Sequence, residues 1–407
     1  MSVTPTGASI EASQQSSKPS SQPLTTSSVS KPSDRLTSLD LFRGVTIAAM
    51  ILVNNPGNDH AYWPLEHAEW NGWTPTDLIF PFFLFIVGVS MVFSFQSRLN
   101  RGDSRGLLLR HAFRRGVTIF AIGLALNCTR LLASSHAGVR IPGVLQRIGI
   151  CYIAASVLFL YVRPKGRAVV VAGLLIGYWI LMRFVSVPGF GVPGRDMPFL
   201  HPDANLGAYL DRKFLLWGST RLYEHTRDPE GLLSTMPAIG TALLGVFTGE
   251  WLRSDRGQQN KAFGMLAFGI AGLVLGEAWG VWFPINKKLW TSSYVLFTAG
   301  FALVCLALAY WATDIKRWRG AWTKPLLIFG RNSITVYVFA WLFSELLDGF
   351  KAPLNGEILN GHDYIFQRFF APLGSPSFTS LLFSLAFVLV CLIPIWLMDR
   401  KKIFLRI

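Results

Sequence analysis

Long apolar runs alternate with short polar connections along most of this chain. Ten of these runs have close to the twenty or so residues that a helix needs to cross a bilayer. They cover approximately residues 40–56, 76–96, 112–132, 143–162, 167–186, 233–252, 261–283, 289–312, 325–346 and 377–398. The pattern predicts an all-α polytopic membrane protein with about ten transmembrane helices. Its partner is then the lipid bilayer that surrounds these helices.

The composition supports this class. The chain is 51% hydrophobic and 15% charged, whereas soluble domains contain about 25% charged residues. The net charge of +15 does not indicate a nucleic-acid partner, because the cations lie in short connections between apolar runs. Four cysteines lie inside apolar runs without the spacing of metal ligands, so the sequence predicts no metal site.

The distribution of cations predicts the orientation. The connections after the second, fourth, sixth, eighth and tenth runs, together with the first residues of the runs that follow them, carry twenty Lys and Arg residues, and the opposite set carries about ten. Since short cytoplasmic connections are rich in cations, both termini are expected in the cytoplasm and the 57–75 connection outside. Residues 1–34, rich in Ser, Thr, Pro and Gln, are predicted to form a disordered cytoplasmic tail.

The 57–75 connection holds the best candidate for proton chemistry. Histidine is the side chain best suited to accept a proton near neutral pH, and His67 follows an apolar run that ends in Asn54. A lone loop histidine is more often an ordinary surface residue. Asp77 can cap the next helix, or it can orient His67 from that helix. Trp70 and Trp73 suit either a membrane-interface belt or stacking on a sugar ring.

Further polar groups fall at membrane depth. Arg43 can pair with Asp40 one turn away or bind a phosphate. Arg147 lies within the fourth run, and Arg331, Asn332 and Ser333 lie within the ninth. The sequence NKKLW also places two lysines at the start of an outer helix, which is electrostatically unusual. Because such groups are costly in a membrane, their number predicts an internal polar pocket or tunnel.

Eight ordered segments carry a resemblance to a known family. They are LDLFRG, the VN that precedes the loop, HAEWNGWTPTDLIFPFFLFIVG, RIPGVLQRIGICY, DPEGLL, INKKLWTSSYV, RNSITVYV and the terminal RKKIF. Together they resemble the heparan-α-glucosaminide N-acetyltransferase family of transmembrane acyltransferases. The resemblance implies that residues 35–407 form a transmembrane acyltransferase domain and that the protein forms a homodimer. The resemblance departs from lysosomal members, which carry an extra N-terminal span and a lumenal domain. A cytoplasmic disordered tail without an organelle signal predicts a bacterial inner membrane rather than a lysosome.

The resemblance also implies an activity. Acetyl would pass from cytoplasmic acetyl-CoA, a co-substrate, to the amine of a terminal glucosamine or related amino sugar on the far side. His67 would be the catalytic base, and Asn54 would donate a hydrogen bond to the developing oxyanion. Candidate acetyl-CoA ligands are Arg43, Arg147, Asn332, Ser333, Lys401 and Lys402. Candidate acceptor ligands are Trp70, Trp73, Asp77, Asp228 and Glu230.

Two alternatives remain open. In the first, His67 attacks acetyl-CoA itself and forms an acetyl-histidine intermediate. In the second, the protein is a secondary transporter, because intramembrane charges and amides also serve transport. A transporter is expected to show internal repeat symmetry, and the two halves of this chain show no convincing repeat.

Overall fold

The computed structural model describes residues 36–133, 138–354 and 356–403, and these are mostly helical. The α-helices in chain order are α1 Thr37–Asn54, α2 Ile79–Leu99, α3 Arg105–Ala133, α4 Val144–Tyr161, α5 Pro164–Phe184, α6 Leu206–Leu215, α7 Thr235–Arg253, α8 Gln258–Gly280, α9 Ser292–Tyr310, α10 Thr323–Arg331, α11 Ser333–Gly349, α12 Gly361–Ile365 and α13 Pro376–Arg400. A short antiparallel hairpin, β1 Lys351–Leu354 and β2 Glu357–Asn360, pairs Lys351 with Asn360. The predicted tail, residues 1–34, lies outside the described residues.

Seven helices in the described part of the chain are long and apolar enough to cross a membrane. They are α1, α2 with the turn before it, α4, α5, α8, α9 with the turn after it, and α13. The predicted mostly helical, membrane-spanning class is therefore confirmed. The third and sixth predicted runs correspond to α3 and α7, which do not meet the same criteria of length and composition. The count of ten and the sides of the termini stay predictions.

The ninth predicted span is broken. Residues 325–346 were expected to form one helix, but α10 and α11 meet at 89° and count at most as an eighth span. Asn332 stands at the break with φ −120° and ψ 31°. Arg331 and Ser333 flank it, so the three polar residues lie at a corner between helices rather than within one. Side chains such as Asn and Ser compete with helical backbone hydrogen bonds, which favours a break at this sequence.

Close helix packing explains the glycine of LDLFRG and the glycine that precedes RNSITVYV. A Cβ added at Gly44 of α1 would lie 1.8 Å from the carbonyl oxygen of Leu326, and one at Gly330 of α10 would lie 1.9 Å from that of Asp40. Small residues let helix backbones approach in this way when the surroundings are lipid. The contact fixes α10, and therefore the corner at Asn332, against α1.

Gly330→Ala is expected to lower the midpoint of thermal unfolding in detergent. Overpacking of this kind costs about 1–3 kcal/mol, which exceeds the gain in helix propensity from alanine. Gly173→Ala in α5 is the matched control, because its Cβ would meet nothing within 4 Å. Equal midpoints for Gly330→Ala and the parent protein would show that α1 and α10 are not closely packed.

Candidate active site

His67 lies against a buried carboxylate. Its Nδ1 is 2.7 Å from Oδ1 of Asp77, whose side chain is 1% exposed, whereas that of His67 is 48% exposed. An ionised carboxylate can only accept hydrogen bonds, so Nδ1 carries the proton in this contact. In neutral His67 the lone pair is then on Nε2, which is the state required of a base.

Asp77 also holds the loop that carries His67. Its Oδ2 accepts hydrogen bonds from the backbone N–H of Ala68 at 3.0 Å and of Thr74 at 3.0 Å. Together with the Thr74 side chain this forms a capping box before α2. The two roles that the sequence left open for Asp77 are therefore both present: one oxygen orients His67 and the other caps the helix.

A lysine from a distant part of the chain completes the cluster. Nζ of Lys287 lies 2.9 Å from Nδ1 and 3.2 Å from Nε2 of His67, and 3.4 Å from Oδ1 of Asp77. Burial lowers the pKa of Lys287, and the Asp77 carboxylate opposes this effect. Sequence reasoning noted this lysine as unusual in NKKLW but gave it no role.

Two docked loops bring these groups together. Asn286 donates from Nδ2 to Oδ1 of Asn71 at 3.2 Å, and Gly72 donates from its backbone N–H to the carbonyl of Ile285 at 2.8 Å. The hydroxyl of Tyr294 in α9 donates to the backbone carbonyl of Asp77 at 2.5 Å. The segment 66–74 is therefore fixed on the segment 283–294, and His67 meets Lys287 as a result.

The two predicted sugar-stacking tryptophans differ in their surroundings. Trp73 packs against Phe297, with ring centroids 4.8 Å apart, so much of its surface belongs to the core. Trp70 donates to the carbonyl of Leu200 at 2.9 Å and lies beneath the guanidinium of Arg227, 4.8 Å from the ring centroid. Both rings have packing roles, and sugar stacking by either one stays a prediction.

A pocket of about 230 Å³ opens beside His67. It lies between the end of α1, the 56–67 loop and the start of α13, and Asp59, Glu66, Ser380 and Ser384 give it polar groups. Asn54 is exposed at the last position of α1, and its neighbours Val53 and Pro56 line the pocket. The structure therefore places Asn54 near the pocket wall without a described contact to His67.

The predicted acceptor carboxylates are paired with an arginine that the prediction left out of the site. Arg140 donates from Nε and Nη2 to Asp228 at 2.8 and 2.7 Å, and it also binds Glu230. Burial lowers the pKa of Arg140, but the two carboxylates raise it more. Arg140 therefore balances part of the negative charge of Asp228 and Glu230, and their attraction of a sugar amine stays a prediction.

Arg147 lies with this carboxylate group and not with the other predicted acetyl-CoA ligands. It occupies the first turn of α4, 1% exposed, and donates from Nη2 to the carbonyl of Gly231 at 3.1 Å and to Oγ of Ser234 at 2.5 Å. Its Nε and Nη1 have no hydrogen-bond partner among the described residues. The DPEG segment is thereby fixed to the start of α4.

The remaining predicted acetyl-CoA ligands lie around α1, α10 and α13. Arg43 donates to Asp40 and to the carbonyl of Gly330, both at 3.2 Å, and to Oγ of Ser90 at 2.5 Å, so it joins three helices. Oδ1 of Asn332, a buried side chain, has no hydrogen-bond partner in the described part of the chain. Ser333 begins α11, and Lys401 and Lys402 are exposed just after α13.

Membrane-crossing helices and a His–Asp–Lys cluster at a loop junction together define an integral membrane protein with groups suited to proton transfer. The family model described as "Heparan-alpha-glucosaminide N-acetyltransferase, catalytic" matches residues 35–276. The chain therefore belongs to the heparan-α-glucosaminide N-acetyltransferase family, as the sequence motifs predicted.

Two curated relatives support this assignment. The human heparan-α-glucosaminide N-acetyltransferase is 33% identical over 356 residues, which cover 75% of this chain and 52% of that protein. The mouse protein of the same name is 33% identical over 354 residues, covering 75% and 53%. The chain thus spans about half the length of these relatives.

Asp211 is expected to make stability fall as the pH rises. Burial raises its pKa to about 6, above the ordinary value of 3.8, although it accepts a hydrogen bond from the backbone N–H of Leu232 at 2.9 Å. Since the folded state holds this proton more tightly, the contribution is complete below about pH 4 and is lost as the pH passes about 6. One pKa unit corresponds to about 1.4 kcal/mol, so the ionised group costs the folded state about 3 kcal/mol.

Asp211→Asn keeps an oxygen for the Leu232 N–H but cannot ionise. Its unfolding midpoint relative to the parent protein should therefore rise between pH 4 and pH 7. Asp196→Asn is a control that should show no change over this range, because the hydrogen bond from Arg195 lowers the pKa of Asp196 to about 2 and the group stays ionised. A difference between Asp211→Asn and the parent that does not change with pH would contradict the role given to Asp211.

Proposed function

We propose that this chain is a membrane acetyltransferase that moves acetyl from acetyl-CoA to the amine of a terminal glucosamine or a related amino sugar, with His67 as the general base. The contact of 2.7 Å between His67 Nδ1 and the buried Asp77 carboxylate is the observation that carries the proposal. The family supports the reaction class, since its human and mouse relatives are named as N-acetyltransferases.

The chemistry follows from the orientation of the imidazole. The acceptor amine attacks the thioester carbonyl carbon while Nε2 of His67 removes its proton, and the C–S bond then breaks to release CoA. Asp77 stabilises the imidazolium that forms, as a buried carboxylate does in a Ser-His-Asp triad. A positioned base contributes roughly 10²–10⁴-fold to such a rate. Asn54, beside the pocket wall, is the proposed donor to the oxyanion.

The pocket beside His67 has room for one end of acetyl-CoA. At about 230 Å³ it is smaller than most small-molecule sites, which begin near 300 Å³. We assign it to the acetyl thioester end of acetyl-CoA and leave the nucleotide end outside it. Lys401 and Lys402 are the proposed ligands of the nucleotide phosphates, because the donors of Arg43 already bind neighbouring helices.

The proposal includes an orientation of the protein in the membrane. The basic connections face the cytoplasm, His67 faces the far side of a bacterial inner membrane, and the protein is a homodimer. Acetyl would then cross the bilayer through the protein while CoA stays inside.

A thiol-labelling experiment tests the orientation. In intact cells an impermeant reagent should label Asn71→Cys, an exposed position in the His67 loop, but Arg101→Cys only after lysis. Arg101 is exposed in the turn after α2 and serves as the control position on the cytoplasmic side. Labelling of Arg101→Cys in intact cells would contradict this orientation and indicate the opposite one.

His67→Ala should reduce acetyl transfer by roughly 10²-fold or more, because the base is lost. The side chain is 48% exposed, so folding and acetyl-CoA binding should be retained. Transfer is measured with radiolabelled acetyl-CoA and glucosamine in detergent, and binding with the same donor alone. His60→Ala, an exposed histidine of the same loop, is the matched control and should leave the rate unchanged.

The same assay decides between the alternatives. Normal transfer by a folded His67→Ala protein would remove His67 from the reaction. Acetyl on His67 itself, with a burst of CoA equal to the enzyme present, would indicate the acetyl-histidine route. If the parent protein transfers acetyl to no amino sugar and also releases no CoA from acetyl-CoA, the transporter alternative replaces the enzyme.

A further inference from the structure

The amine of Lys287 lies where an acceptor amine has to lie. An amine that gives its proton to His67 must come within about 2.6–3.2 Å of a ring nitrogen. Nζ of Lys287 already meets this condition, at 3.2 Å from Nε2, the ring nitrogen that carries the lone pair in neutral His67. It is a primary amine, the same functional group as the amine of glucosamine.

We propose that Lys287 is an internal acetyl acceptor, so that without an amino sugar the protein transfers acetyl from acetyl-CoA to Nζ of its own Lys287. This rests on the proposed function, because it requires the thioester of acetyl-CoA to reach His67. It adds a site of covalent modification to the active site.

The step balances without a further reactant. The lone pair of neutral Nζ attacks the thioester carbonyl carbon, and an N–C bond forms. Nε2 of His67 takes a proton from Nζ, the C–S bond breaks, and CoA leaves as the thiolate. The thiolate receives the proton from His67, so the products are N-acetyl-Lys287 and CoA.

The surroundings of Lys287 increase the fraction of the neutral amine that this step needs. Burial lowers the pKa of Lys287, and the positive charge of Lys288 acts in the same direction. The carboxylates of Asp77 and Glu230 act in the opposite direction. The net effect is a lowered pKa, so the reactive amine is more available at neutral pH than it is in an exposed lysine.

Lys288 provides a matched comparison within the same chain. Its Nζ lies 3.1 Å from Oε1 of Glu224 and 5.9 Å from the ring centroid of Trp70. Its side chain is 28% exposed, against 21% for Lys287, so the two lysines are about equally accessible. The described contacts of Lys288 include an acid but not His67, so the base is the difference between them.

The experiment uses the purified full-length protein in detergent with acetyl-CoA and no acceptor. Peptide mass spectrometry with fragmentation should find one acetyl group on Lys287 and little on Lys288. Amide-linked acetyl resists hydroxylamine, whereas acetyl on an imidazole is removed by it. Acetylation of Lys287 should be roughly 10²-fold or more slower in His67→Ala, and Lys287→Arg should take up no label at this position.

A transfer assay with glucosamine on the same preparation separates the two proposals. Transfer to glucosamine with unmodified Lys287 would overturn this inference and leave the proposed function standing. Equal acetylation of Lys288, or an unchanged rate in His67→Ala, would show uncatalysed chemistry and also overturn it. Absence of transfer to both glucosamine and Lys287 would overturn the proposed function.

Discussion

The burial of the Asp77 carboxylate is the constraint on which the site depends. An ionised group at 1% exposure is tolerated only when hydrogen bonds and opposite charge replace water. The backbone of Ala68 and Thr74 supplies two of these hydrogen bonds, His67 supplies another, and Lys287 supplies the charge. Folding of the loop, orientation of His67 and docking of the α8–α9 connection therefore all contribute to stabilising this buried charge.

The packing of the surrounding helices also positions the loops of the candidate site. Glycines at 44 and 330 let α1 and α10 approach until their backbones touch, and Arg43 ties both to α2. At the other end of α1 the chain leaves the helix beside the pocket and enters the loop with His67. The DPEG segment is tied to the start of α4 through Arg140 and Arg147. Close backbone packing and buried ion pairs therefore both hold the loops in place.

Much of this could be predicted from sequence, because apolar length and local capping signals are short-range properties. The run lengths indicated the spanning helices, TPTD indicated the cap at Asp77, and the family motifs singled out His67. The partners of these residues could not be predicted, since they depend on tertiary contacts. Asp77 and Lys287 are 210 positions apart, and the pairing of Arg140 with Asp228 joins two separate connections. The corner at Asn332 was missed because an apolar run gives the length of a helix but not its bend.

The docking of the His67 loop on the 283–294 segment has a consequence for dividing this protein into parts. The region that matches the family model ends at residue 276, before Lys287 and Tyr294. A fragment cut at that boundary would keep His67 and Asp77 but lose the lysine beside them and the hydroxyl that holds the Asp77 backbone. The candidate site therefore extends beyond the stretch that the family model matches.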